Sequence, residues 1–187
     1  MTNVTADAAA PFPPTAGTLA GLIVPANPTT TVRAVTFADE SFLRALFADE
    51  RGAEFRSMGL SEAMVAVMLD QQFRAQRAGY RQTSPQAEYL LIEHAAAPVG
   101  RLTVVALAHG SGSALHILDV AVLTVARRRG IGTDVLTSLE RAARKIGTAQ
   151  LALSVLHSNE HAIRLYERLG FLPTHGGLQI AMVKRLA

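Results

Sequence analysis

The sequence predicts a single mixed α/β (α+β) domain with the element order β-α-α-β-β-β-α-β-α-β-β. Three observations predict it. Short β-prone runs alternate with segments whose apolar residues recur at helical spacing. The 187 residues are 49% hydrophobic and 18% charged, a globular composition of one-domain size. Cysteine is absent, so no disulfide or thiolate metal site takes the place of an apolar core, and a chain this long needs neither.

Residues 1–30 read as a flexible Pro/Ala/Thr-rich extension. Asp7 is their only charge, and Pro11, Pro13, Pro14, Pro25 and Pro28 leave little apolar periodicity. The charge-free run from Ala8 to Val32 is a poor signal peptide and a poor membrane span, because prolines interrupt it and no Lys or Arg precedes it. The folded domain is read as residues 31–187.

Val32 to Thr36 reads as a strand. Thr36 and Asp39 have the spacing of a capping box, opening a helix from about Phe37 to Arg51. Ser61 caps a second helix with the stripe Val65, Leu69, Phe73. Glu88 to Glu93 and Val99 to Ala108 are β-like, with Ala97-Pro98 as the turn between them. His109 to Ser113 is a second turn, and Ala114 to Val122 an apolar strand. Gly130 to Ile146 is the clearest helix, with Ile131, Val135, Leu139, Ala142 and Ile146 on one stripe. Gln150 to Leu156 is a strand. Asn159 to Leu169 is a helix capped by Ser158 or Asn159 and ended by Gly170. A strand after Phe171 and another from Leu178 to Lys184 complete the order.

The charge balance is 18 Lys+Arg against 15 Asp+Glu, a net +3, too small to predict nucleic-acid binding. Its distribution is uneven: residues 1–100 hold seven basic and ten acidic groups (−3), and residues 101–187 hold eleven and five (+6). An anionic ligand would favour the second half, although a solvated surface of uneven charge accounts for the same numbers.

One junction carries chemistry. The strand Leu118-Asp119-Val120-Ala121-Val122 runs through Arg127-Arg128-Arg129-Gly130-Ile131-Gly132-Thr133 into the clearest helix. The glycines let backbone approach an anion without a Cβ in the way. The first amides of the helix lack internal acceptors and sit at its positive end. Three arginines stand beside them, so the junction reads as a phosphate or diphosphate cradle. It is not a G-x-x-x-x-G-K-[ST] loop, since no Lys is present, and Val135 occupies the third glycine position of a dinucleotide fingerprint. A glycine-containing helix start with a basic solvated face is the plainer alternative.

Arg127-x-x-Gly130-x-Gly132 after an apolar strand resembles the acyl-CoA signature of the GNAT superfamily of N-acetyltransferases. Asn159-Glu160-His161-Ala162-Ile163-Arg164-Leu165-Tyr166-Glu167-Arg168-Leu169-Gly170-Phe171 resembles that family's N-x-x-A-x-x-L-Y-x-x-x-G-F segment. The resemblance covers about residues 31 to 187. Leu118 to Thr133 is further similar to a bacterial branch, with Thr124 in place of the usual proline and Ala126 in place of the usual His or Tyr.

The resemblance implies a mixed sheet whose parallel central strands splay apart, and acetyl-CoA as co-substrate with no metal. It implies pantetheine along Val120, Ala121 and Val122, and diphosphate on Arg127, Arg128, Arg129, Gly130, Ile131, Gly132 and Thr133. A backbone N–H near Val122 or Leu123 would face the acyl oxygen. Tyr166 would protonate the leaving sulfur, or else pack in the core. Asn159 would bond pantetheine, cap its helix, or do both. Asp119, the only carboxylate in its apolar strand, would be the general base; pairing with a neighbouring Arg is the alternative.

The expected activity is direct acetyl transfer to the primary amine of a small molecule or peptide, with a non-catalytic acyl-CoA sensor as the alternative. No nucleic-acid or membrane partner is expected, a homodimer is among the expected assemblies, and the absence of Cys suggests the cytoplasm. Glu50, Glu54, Glu62 and Asp70 lie where the family binds its acceptor, and acidic groups suit a cationic amine; a solvated helix face explains them equally. His157 and His161 are four apart but lack an HExxH pattern, so no metal site is expected. Met58, Met64 and Met68 read as core or gap-filling residues.

Overall fold

The computed structural model describes residues 19–109 and 112–186. Strand β1 (Thr30–Ala34) leads through a 3-10 turn (Phe37–Asp39) into α1 (Glu40–Ser57) and α2 (Glu62–Thr83). Three antiparallel strands follow: β2 (Glu88–His94), β3 (Ala97–His109) and β4 (Gly112–Val122). Then come α3 (Ile131–Lys145), β5 (Gln150–Leu156), α4 (Glu160–Arg168), β6 (Leu172–Gly176) and β7 (Gln179–Arg185). The order is the one the sequence predicts, in one seven-stranded sheet arranged β1-β2-β3-β4-β5-β7-β6.

Two layers of side chains cover the sheet. On one face, Ile131, Val135, Leu139 and Ala142 of α3 and Tyr166 of α4 pack on Leu102, Val104, Ile117, Leu153 and Phe171. On the other, Leu43, Phe47 and Phe55 of α1 and Val65, Leu69 and Phe73 of α2 close around Leu91. The Thr36–Asp39 box forms: the Asp39 carboxylate accepts from the Thr36 N–H at 2.7 Å and pairs with Arg33.

Four local expectations change. Ala95 and Ala96, with φ of 51° and 60°, make the β2–β3 turn, while Pro98 lies inside β3 opposite Glu93. A register shift after Ile92 accommodates it, which is where a strand tolerates proline. Helix α1 runs to Ser57, past the expected end at Arg51. Met58 and Met64 are more than half exposed, and Ile146, which caps the end of α3, is 42% exposed; none of the three is core. The turn expected over His109 to Ser113 includes residues 110–111, which lie outside the described residues.

Part of the stretch read as a loose extension is packed. Leu19 and Ile23 are buried among the α3-side core residues. The Leu19 N–H donates to Glu88, and the Ala26 and Asn27 N–H groups both donate to the Asp134 carboxylate. Arg141 reaches the Val24 carbonyl. Two apolar side chains spaced by one helical turn are a weak sequence signal, and their partners lie about a hundred residues away. Residues 1–18 lie outside the described residues.

Candidate active site

Among the described residues the one parallel strand pair is β4 with β5, and it holds for four residues, Ala114↔Gln150 to Ile117↔Leu153. Beyond Ile117 the strands part, although β4 continues to Val122 and β5 to Leu156. A cleft therefore opens between Leu118–Val122 and Ser154–Leu156. Along its β4 wall the backbone alternates. The Leu123 N–H donates to the Val99 carbonyl at 2.8 Å across β3. By the two-residue period of a strand, the N–H of Val122, and of Val120 before it, points into the cleft. Of the two oxyanion donors the sequence left open, Leu123 is thus committed to the sheet and Val122 faces the opening.

A 3-10 turn (Thr124–Ala126) carries the chain from β4 to α3, pinned where Thr124 donates through its N–H and its hydroxyl to Asp49 of α1. Arg128 takes φ of 62° and Gly130 φ of 80°, so two left-handed residues turn the chain sharply into α3. Gly130 is the N-cap and offers no side-chain bond to the helix. The first intrahelical bond runs from the Asp134 N–H to the Gly130 carbonyl, so the amides of Ile131, Gly132 and Thr133 have no acceptor within the helix. A Cβ built on Gly130 meets nothing within 4 Å. The concavity is open where an anion would approach.

Arg128 and Arg129 are exposed at this turn. Arg127 instead folds back: its Nε donates to the Val122 carbonyl at 2.9 Å, and its Nη2 lies 4.0 Å from Asp49. It braces the end of β4 rather than the helix start.

Tyr166 lies in α4, on the β5 side of the cleft. It is 7% exposed, stacks edge-on with Phe171 at 5.8 Å, and belongs to the α3-side core. Burial, together with the negative charge of Asp119, pushes its phenol up to about 12, so it stays protonated and can act as a donor. Asn159 caps α4, its side chain accepting from the Ala162 N–H at 3.2 Å.

A register shift between Thr103 and Val104 sets Asp119 opposite Thr103 and Ile117 opposite Val104, leaving Leu118 as the extra residue. The bulge turns Asp119 onto the α1–α2 face; a regular strand would give it the α3-facing side that Ile117 has. The Leu118 carbonyl lies within reach of the Tyr80 hydroxyl. On its face, Asp119 pairs with Nε of Arg101, the diagonal cross-strand neighbour on β3. Nη2 of the same guanidinium donates to Glu50 of α1 at 2.8 Å, and Nη1 is buried with no partner. This is the paired alternative that the sequence left open for Asp119.

Burial lifts Glu50 to about 7 against the pull of Arg101, and the charge of Asp119 adds to the lift. Burial also disfavours the Arg101 charge, but the two carboxylates outweigh it and its affinity for the proton rises. Glu50, Arg101 and Asp119 line one side of a cavity of about 340 Å³ that Phe47, Arg51, Gln72 and Gln76 complete.

Of the other acidic candidates, Asp70 pairs with Arg44 and Arg74, Glu62 with Arg56 and Glu54 with Arg51. They serve the helices, not the cavity. His157 bonds the Gly177 carbonyl and His161 meets Arg164; no metal-binding group occurs among the described residues. Arg101 is the site residue that sequence reading passed over. Its signal was there: one cation in the apolar run Val99 to Ala108, beside a strand with one anion.

A family model described as the acetyltransferase (GNAT) family matches residues 60–171. A curated N-alpha-acetyltransferase of Sulfurisphaera tokodaii is 42% identical over 57 residues, which is 30% of this chain and 34% of that protein. The match thus spans about a third of the relative's length, and the relative is archaeal. Among solved structures, PaiA N-acetyltransferase from Thermoplasma acidophilum in complex with coenzyme A superposes with a TM-score of 0.64 at 17% identity, covering 84% of this chain and 99% of that one. Arabidopsis thaliana Naa50 in complex with the bisubstrate analogue CoA-Ac-MVNAL gives 0.54 at 17% identity, covering 83% and 98%. These likenesses establish a shared fold.

Proposed function

Since the chain belongs to the acetyltransferase (GNAT) family, we propose that it moves an acetyl group from acetyl-CoA directly to the primary amine of a small molecule or peptide. The observation that carries this reading is the cleft opened beyond Ile117, with the free amides of α3 beside it.

The residues present fit the co-substrate. Ile131, Gly132 and Thr133 would hold the diphosphate through main-chain N–H groups, with Arg128 and Arg129 adding positive charge. Val120, Ala121 and Val122 form the strand edge that pantetheine would pair with, and Asn159 borders it from α4. Bound there, acetyl-CoA supplies an activated acyl carbon. The Val122 N–H is directed to donate to the acyl oxygen as negative charge builds on it. Tyr166 holds a proton for the departing sulfur. Holding amine and thioester together in one cleft removes much of the entropic part of the barrier.

An amine arrives largely as an ammonium ion and must shed a proton before it attacks. The carboxylates of Asp119 and Glu50 around Arg101 supply negative charge where that ion would sit. The curated relative is named an N-alpha-acetyltransferase, and Naa50 was solved with a bisubstrate analogue carrying the peptide MVNAL, which favours a peptide amine among the acceptors. The absence of Cys and the likeness of Leu118 to Thr133 to a bacterial branch support a bacterial cytoplasm as the setting. No described helix is long and apolar enough to cross a membrane.

Calorimetric titration with acetyl-CoA, followed by thiol-release assays across a panel of primary amines, tests the proposal. Saturable binding with release only when amine is present is expected. Binding without release for any amine would convert the reading to a sensor, and no binding would end it.

A further inference from the structure

We propose that Glu50 of α1 is the group that takes the proton from the acceptor ammonium, and that Arg101 and Asp119 serve to hold it. The proposal rests on the acetyltransferase reading and adds to it the proton route and the acceptor's charge state.

Three observations lead to it. First, Glu50 and Asp119 line the same cavity but do not share equal bonds. Asp119 is tied to Nε of Arg101 by a close ion pair within the sheet, between residues of two adjacent strands. Glu50 comes from a separate helix and meets only the outer Nη2 at 2.8 Å. Second, the cluster holds two carboxylates and one guanidinium, so it carries one negative charge when both acids are ionised. Adding one proton neutralises it, and removing that proton leaves a site suited to one cation. Third, the guanidinium is about nine-tenths buried and its Nη1 has no partner. Buried between its two ion pairs, it holds both acids in place.

Every nearby charge belongs in this account. Arg51 on α1 and Arg127 on the β4–α3 turn flank Glu50 with positive charge, Asp49 faces Arg127, and Tyr80 of α2 lies behind Asp119. The net result, set first by burial, holds Glu50 at about 7. It is therefore able both to accept a proton at neutral pH and to release it to water afterwards.

The step balances. Glu50 takes one proton from R–NH3+. The nitrogen lone pair forms the C–N bond at the acyl carbon and the C–S bond breaks. Sulfur takes the Tyr166 proton, and Tyr166 regains one from the acylated nitrogen. Glu50 then returns its proton to solvent. The sum is amide, free thiol and one proton.

The test is Glu50→Gln in the full chain, assayed with acetyl-CoA and two probes: a short peptide with a free α-amine, whose pKa is about 8, and n-butylamine, whose pKa is about 10 by analogy with lysine. At pH 7.5 the free-base fractions differ by roughly 80-fold. If Glu50 removes the proton, the variant must capture amine already neutral. Turnover of n-butylamine should then fall on the order of 10²–10⁴-fold, and that of the peptide by much less. The wild-type break in log kcat/KM near pH 7 should vanish, leaving a slope of one up to the amine's own pKa. Glu50→Asp should restore part of the rate and the break.

Equal losses for both amines, or a break near pH 7 that survives in Glu50→Gln, would overturn the assignment while leaving the acetyltransferase reading intact. If wild type binds no acetyl-CoA by calorimetry, it is that reading which fails. Should Glu50→Gln not fold, Glu50→Asp against wild type gives the same comparison: an unmoved break refutes the proposal and a shifted one supports it.

Discussion

Gly100 of β3 faces Val122 of β4 across the sheet, directly behind the cleft wall. A Cβ placed on it would stand 2.3 Å from the Ala121 carbonyl oxygen, 3.3 Å from the Val122 Cα and 3.3 Å from Ile92 Cδ1. Ile92 can rotate, but the first two are backbone atoms, so Gly100→Ala requires β4 to retreat by about 1 Å to reach ordinary contact. Overpacking of this kind costs about 1–3 kcal/mol, and the rigid obstacle places this case near the upper end. At roughly 2–4 °C per kcal/mol for a chain of this size, the melting temperature should fall by about 5–10 °C.

The same retreat displaces the Val122 N–H, and a misplacement of about 1 Å can cost on the order of 10²-fold in rate. Gly79→Ala is the control: it lies inside α2 with nothing within 4 Å of its Cβ, and should gain about 0.5–1 kcal/mol from helix propensity. Thermal melting and initial rates of thiol release read both variants. A Gly100→Ala protein with unchanged melting and rate would refute the packing argument and, with it, the role given to the β4 backbone.

Gly130→Glu should abolish acetyl-CoA binding measured by calorimetry, because a carboxylate would enter the open concavity, whereas Gly130→Asn, which tolerates the same φ, should retain most of it; equal affinities would remove the diphosphate from this turn. Tyr166→Phe should lower kcat at least tenfold while the Kd for acetyl-CoA changes little, and an unaltered kcat would return Tyr166 to a purely packing role. Ile23→Ala should lower unfolding free energy by about 2–4 kcal/mol in urea titrations, since the side chain is 2% exposed; a loss under about 0.5 kcal/mol would show that residues 19–29 are not held by the core.

Much of the architecture is legible along the chain because it depends on local rules. The stripe on α3, the cap at Ser61, the apolar run of β4 and the glycines at 130 and 132 each act within a few residues of themselves. Their order was enough to predict a mixed α/β domain and the turn that leads into α3. Where local rules misled, a neighbour distant in sequence decided. Met58 and Met64 look like core and are exposed: Met58 follows the end of α1, and at the start of α2 it is the neighbouring Val65 that takes the packed side. Leu19 and Ile23 look like linker and are buried, since α3 and the sheet leave them a place.

By itself the sequence determined the strand–turn–helix unit from Leu118 to Ile146, because glycine φ, unpaired helix amides and apolar periodicity are properties of contiguous residues. The tertiary structure alone decided the acid–base cluster. Glu50, Arg101 and Asp119 lie on a helix and two strands, and a one-residue bulge at Leu118 selects the face on which Asp119 meets Arg101. A strand's side chains alternate with a period of two, so that single extra residue exchanges core for cavity, and no pattern read along β4 alone reveals it.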